Sequence, residues 1–173
     1  MSTVTINRAP VMTLWAAIVA ERLGYERDEA ATFGRTVAGL NAASKAQRLG
    51  LAEPHPEKHT AKKKAPGRKV EIELLGRVFS AVETDDGLRA LAKDKPADPA
   101  AVHRYLESKF GDDLAAVREA MKALAKSRTP QQLAEEAYAL YEAFRPEIPR
   151  GTRGWGAKGV LDLAKVRALA QEK

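Results

Sequence analysis

Two periods of apolar residues run along this chain. In "TLWAAIVAERL", residues 13 to 23, Leu14, Trp15, Ile18, Val19 and Leu23 recur at helical spacing. Thr13 can cap that helix and Gly24 can stop it. Asp28 opens a second helix, "DEAATFGRTVAGLNAASKAQRL", with Phe33, Val37 and Leu40 as its core face. Acids in its first turn and cations near its end suit the helix dipole. Gly34, Ala38 and Ala42 form a row of small residues four apart. A glycine inside a helix costs about 1 kcal/mol against alanine. Gly34 and Gly39 therefore imply a close neighbour, in the same chain or in a second copy, and the row is a candidate homodimer contact.

The period then changes to two. In "VEIELLGRVFSAVE", Val70, Ile72 and Leu74 point one way, with Glu71 and Glu73 the other. A turn near Gly76 makes a β-hairpin over about residues 70 to 82, preferred here to a helix across "LLGRVFSAV". A lone hairpin is unstable in water, so it must lie on helices. Everything after it reads as helical. Asp98 and Pro99 start a helix presenting Val102, Tyr105, Leu106 and Phe110. Asp112 opens the next, with Leu114, Val117, Met121 and Leu124 on one face. Thr129 and Pro130 open another, with Leu133, Ala137, Leu140, Tyr141 and Phe144, and Pro146 and Pro149 end it. "DLAKVRALAQ" closes the chain as a short helix. The expected fold is mainly α, a helical bundle with one small β-hairpin near residues 70 to 82.

Pro54, Pro56 and Pro66 mark the sharpest change of composition. They divide the chain into an N-terminal helical pair (residues 1–53), a basic Pro/Lys-rich linker (54–69), and a hairpin with helices (70–173). About fifty residues make only a marginal core, so the first helices are expected to pack on the rest, as one domain, or to dimerise.

Composition narrows the function classes. No window of the 173 residues is apolar enough to span a bilayer, so no membrane partner is expected. "VMTLWAAIVA" lacks a charged leader and a cleavage site and reads as a helix of the mature protein. The absence of cysteine rules out disulfide and thiolate chemistry and fits a reducing, cytoplasmic setting.

The net charge is +6, and its distribution changes the picture. Residues 1–53 hold 6 Lys/Arg against 5 Asp/Glu, residues 54–69 hold 6 against 1, residues 70–149 hold 11 against 15, and residues 150–173 hold 6 against 2. Two short segments thus carry more than the whole excess around an acidic body. Clustered charge raises the local potential and favours a polyanionic partner.

The first segment, "KHTAKKKAPGRK", offers Lys58, Lys62, Lys63, Lys64, Arg68 and Lys69 to phosphates. The second, "RGTRGWGAKG", offers Arg150, Arg153 and Lys158, with Trp155 available to stack on a base. The plain alternatives are a solvated linker for the first, and a loop with a core tryptophan for the second. His55 and His59 are four apart, but Pro54 and Pro56 break the helix that chelation would need, and His103 stands alone, so no metal or cofactor is expected. Acid pairs such as Asp85/Asp86, Asp112/Asp113 and Glu135/Glu136 suit helix starts or solvated faces. No hydrolase, zinc-protease or nucleotide-loop motif occurs, so an enzyme is not expected.

"KKAPGRK" resembles the Lys/Ala/Pro tails of linker-histone-like proteins. "INRAPVMTLWAAIVAERLGYERDEA", "HRYLESKFGDDL" and "GWGAKGVLDL" are together similar to an uncharacterised family of small, mainly helical bacterial proteins; that resemblance implies neither activity nor site residues. "RAPV" with the short and long helices that follow, residues 8 to 50, is also similar to the first half of a histone fold, which implies DNA binding and dimerisation. The function expected is low-specificity association with nucleic acid, DNA first. The alternative is a helical protein–protein interaction or regulatory module, with the lysines as a tether.

Overall fold

The computed structural model describes residues 3–48, 69–85, 87–92, 95–146 and 158–171. Among them are six α-helices and six short strands, and the fold is mainly α. In chain order they are β1 (Thr3–Asn7), α1 (Arg8–Arg22), α2 (Arg27–Arg48), β2 (Lys69–Leu74), β3 (Arg77–Thr84), β4 (Gly87–Ala92), β5 (Lys95–Pro96), α3 (Pro99–Phe110), α4 (Leu114–Lys126), α5 (Pro130–Phe144), β6 (Lys158–Asp162) and α6 (Leu163–Gln171). No helix among the described residues is long and apolar enough to cross a membrane.

α1 is the central element. Every residue from Pro10 to Ala20 is buried, which is the pattern of a core helix rather than an amphipathic surface helix. α2, α3, α4 and α5 all touch it. The helix begins five residues earlier than the sequence pattern implied. Pro10 sits in its first turn, where the missing amide costs nothing. Thr13 is therefore not a cap; its hydroxyl donates back to the Ala9 carbonyl at 2.9 Å. The Trp15 indole donates to the Ala137 carbonyl of α5 at 2.9 Å, so the largest core side chain leaves no buried polar atom unpaired.

The small-residue row on α2 has its neighbour inside the chain. A Cβ on Gly34 would collide with the Thr13 carbonyl oxygen and stand 3.0 Å from the Ala17 amide nitrogen. Ala38 is buried in the same core, and the side chain of Ala42 lies outside the described residues. At Gly34 and Ala38 the close neighbour is thus α1 of the same chain, which corrects the expected homodimer contact at these two positions. Gly39 has no such neighbour among the described residues, none of which lies within 4 Å of where its Cβ would stand. Leu40 is 36% exposed rather than core. α1 runs antiparallel to α2 with Thr13 opposite Gly34, so six residues further along α2 the covering helix has reached its first turn.

The hairpin is present as β2 and β3, with Ile72 opposite Phe79 and Leu74 opposite Arg77. Its two-residue turn has positive φ at both positions, 52° at Leu75 and 74° at Gly76, the geometry that matches strand twist. Leucine in this region is strained by about 1–2 kcal/mol. Leu75 is only 4% exposed, and burying a leucine returns about 1.5–3 kcal/mol, so packing outweighs the strain. Phe79 then meets Phe33 of α2 at 5.3 Å between ring centroids, which seats the sheet on the helices.

The chain after the hairpin is not wholly helical, contrary to its pattern. β4 and β5 extend the sheet to the order β2-β3-β4-β5, and β6 pairs antiparallel with β1. "GLRALA" contains good helix formers, but α2 holds its backbone extended. The Glu29 carboxylate accepts the Leu88 amide at 2.8 Å, and the Thr32 hydroxyl accepts the Ala90 amide at 3.1 Å. Tertiary contacts override propensity here.

α3 and α5 start as their signals indicate, whereas Asp112 falls in a 3-10 turn before α4 rather than opening it. Asp98 accepts the Ala100 amide at 3.0 Å in front of Pro99. Thr129 and Gln132 form a reciprocal capping box in front of α5. A short 3-10 turn, Gly111–Asp113, leads into α4. The expected core faces of α3, α4 and α5 are buried, except that Tyr105 and Leu114 are half-buried. Core residues from both sides of the basic linker join one continuous cluster.

Candidate functional site

The ends of the two basic segments can be located. Lys58, Lys62, Lys63, Lys64 and Arg68 lie outside the described residues; Lys69 opens β2, exposed and opposite Val82. Arg150, Arg153 and Trp155 also lie outside them, and Lys158 opens β6 with its backbone opposite Asn7. Lys69 and Lys158 are not brought together. Val82, beside Lys69, pairs on its other side with Arg89 of β4, the strand gripped by the first turns of α2. Those turns lie toward the end of α1, whereas Asn7 precedes its start.

Residues that the sequence pattern did not single out surround the second segment. Its leading flank, Pro146, is tied to the start of α1, because the Arg8 guanidinium donates through Nε to the Pro146 carbonyl at 2.9 Å. Its trailing flank, Lys158, pairs with Asn7. Both roots of the segment carrying Arg150 and Arg153 thus meet at residues 7 and 8. Arg145 follows α5 as its C-cap and acts electrostatically on Arg8.

Among the described residues this corner is short of negative charge. Burial, and next the repulsion from Arg145, lower the pKa of Arg8 from its ordinary value. The Tyr141 hydroxyl is pushed up to about 12 by burial, while Arg8 and Arg145 act in the opposite sense. Glu142 is the carboxylate whose charge reaches Tyr141. Among the described residues no carboxylate forms an ion pair with Arg8 or Arg145. The positive end of the α1 dipole adds to the potential, and Asn7 does not cap it with its side chain.

Other crowded arginines are compensated. Arg118 is lowered by burial and by Arg27, but Glu21 and Glu107 act on it in the opposite direction. Arg128 approaches Glu136 at 3.8 Å and donates to the Leu169 carbonyl at 3.1 Å. Arg22 donates to the carbonyls of Ala125 and Arg128, closing the end of α4. Arg8 and Arg145 are set apart by having no carboxylate partner among the described residues.

His103 is not solitary, as its sequence context suggested. Its Nε2 lies 3.1 Å from the Asp28 carboxylate, and Nδ1 is buried without a partner among the described residues. That arrangement suits the tautomer with its proton on Nε2. Among the described residues no three His, Asp or Glu side chains gather as metal ligands. A cavity of about 50 Å³ beneath the hairpin tip, between Val19, Leu23, Leu75 and Ala134, has room for little more than water. The chain was compared with family models, with curated proteins and with solved structures, and none of the three gave a match.

Proposed function

We propose that the protein associates with nucleic acid, DNA first, by neutralising backbone phosphates with little sequence preference. The observation that carries this reading is the pair Arg8 and Arg145, without a carboxylate partner among the described residues, at the root of the segment bearing Arg150, Arg153 and Lys158. Guanidiniums crowded together without carboxylates raise the local potential and attract a polyanion. Arginine suits phosphate oxygens through its planar fork of donors. Trp155 adds a stacking surface, and Lys58, Lys62, Lys63, Lys64, Arg68 and Lys69 form a second contact. The helices serve as scaffold. This is a binding protein rather than an enzyme, and a nucleic-acid partner goes with a cytoplasmic location.

A mobility-shift titration with duplex DNA tests the reading. If about four cations meet phosphates, affinity falls on the order of 10² between about 50 and 200 mM salt. Deleting residues 58–69, or exchanging Arg8 and Arg145 for glutamine, flattens that dependence. An absence of binding at low salt overturns the proposal and leaves the protein–protein interaction module as the reading.

A further inference from the structure

β2 ends the four-stranded sheet, and among the described residues no strand lies beyond it. The two-residue turn fixes which groups face outward. In such a hairpin the closing pair, here Leu74 and Arg77, exchanges hydrogen bonds. Val70, Ile72 and Leu74 therefore direct their amides and carbonyls at β3. Lys69, Glu71 and Glu73 direct theirs away from the sheet. The side chains of these three residues are also exposed, and none is hydrogen-bonded or ion-paired among the described residues.

Charges on an edge strand ordinarily discourage pairing. In β2 their order makes the strand its own complement. We propose that this edge pairs antiparallel with the β2 edge of a second copy, about a two-fold axis through Glu71. In that register Lys69 lies opposite Glu73 of the second copy, and the relation repeats across the axis. Val70, half-buried in the single chain, lies opposite Ile72 of the second copy and extends the apolar face of the sheet. Glu71 meets its own counterpart, which is the unfavourable contact. The alternative registers that keep the outward groups facing each other are worse. Sliding two residues one way sets Glu71 against Glu73 twice; sliding two residues the other way keeps two attractive pairs, Lys69 with Glu71, but leaves Ile72 and Glu73 beyond β2 of the second copy and so shortens the ladder.

A ladder of this length buries less than the roughly 1,200 Å² of a stable interface. The dimer is therefore weak and concentration-dependent. It engages Lys69 with a carboxylate, so that lysine then serves the interface rather than a phosphate. The inference stands apart from the nucleic-acid reading, because the pairing requires no polyanion.

Sedimentation velocity on the full chain, from about 10 to 500 µM, reads the association expected of an interface below standard size. The expected result is a reversible monomer–dimer equilibrium. Lys69→Glu and Glu73→Lys each weaken it about tenfold, since each turns two attractive cross-strand pairs repulsive. The double exchange restores it, and Glu71→Gln tightens it. Glu71→Pro abolishes it, because the lost amide points outward and the ladder with β3 is spared. Circular dichroism checks that each variant folds; if the proline variant does not, the charge exchange alone decides. A monomer across the whole range, or a dimer indifferent to both single exchanges, overturns the proposal.

Discussion

The Glu29 carboxylate spans two elements, accepting the Leu88 amide of β4 through one oxygen at 2.8 Å and the Glu26 amide before α2 through the other at 2.9 Å. One side chain thus satisfies an orphan amide at a helix start and an amide of β4 at a position that the short β5 does not reach. Glu29→Ala removes both acceptors. The expected loss is about 2–4 kcal/mol, the sum of two charge-assisted hydrogen bonds. Urea unfolding measures that loss, and amide exchange at Leu88 and Ala90 becomes faster than in the rest of β4. An unchanged midpoint would mean that β5 and β3 hold β4 without help from α2.

The seat of α1 on α2 depends on Gly34 and not on Gly39, although both look alike in the sequence. Gly34→Ala drives a methyl group into backbone, so the helices must separate. The expected cost is about 2–3 kcal/mol, typical of overpacking. Gly39→Ala meets open space and gains about 1 kcal/mol from helix propensity. Thermal unfolding of the two single variants checks the opposite signs. Equal effects would contradict the close approach at Thr13 and Ala17.

Tyr141 gives the molecule a stability limit at high pH. Its hydroxyl is pushed up to about 12 by burial, against about 10 in an unfolded chain. Between those values the folded state retains a proton that the unfolded state loses, so stability falls as pH rises. The contribution is complete below pH about 10 and is lost progressively up to about 12, a change of roughly 2–3 kcal/mol. Tyr141→Phe removes this dependence. The difference between the two proteins, measured by urea titration at several alkaline pH values, isolates it from the titration of lysines. Parallel curves for both proteins would show that the hydroxyl is not held in its neutral form.

Legibility in the sequence followed the range of the interactions. α3 and α5 were readable because Asp98 with Pro99, and Thr129 with Gln132, act within four residues. The hairpin was readable because Val70, Ile72 and Leu74 alternate with acids on a half-covered sheet. β4 was not, because Leu88 and Ala90 are held extended by Glu29 and Thr32, some sixty residues away. The burial of α1 on all sides was not readable from the spacing of Leu14, Trp15, Ile18, Val19 and Leu23, because its helix neighbours come from four later segments. The basic segments were plain as runs of charge, whereas Arg8 and Arg145 are single arginines in the sequence. Their one local signal is a proline shortly after each, at Pro10 and Pro146, and that marks element ends rather than charge. Only the fold makes them neighbours.

The Arg8–Arg145 corner separates stability from binding. A residue kept for stability weakens the fold when it is removed. Arg145 repels Arg8 and has no carboxylate partner among the described residues, so Arg145→Gln leaves unfolding free energy unchanged or raises it by about 0.5 kcal/mol, the scale of a relieved surface repulsion. The same change removes one phosphate contact from the proposed interface. Affinity for duplex DNA then falls several-fold, and the log–log salt slope becomes shallower by about one. Arg145→Lys keeps the charge but not the planar fork, and it recovers the slope while recovering only part of the affinity. Urea titration and mobility shift on the same preparations read both quantities. A variant that loses stability while its DNA affinity stays intact would make Arg145 a packing residue at the end of α5, and the phosphate contact would have to be sought elsewhere.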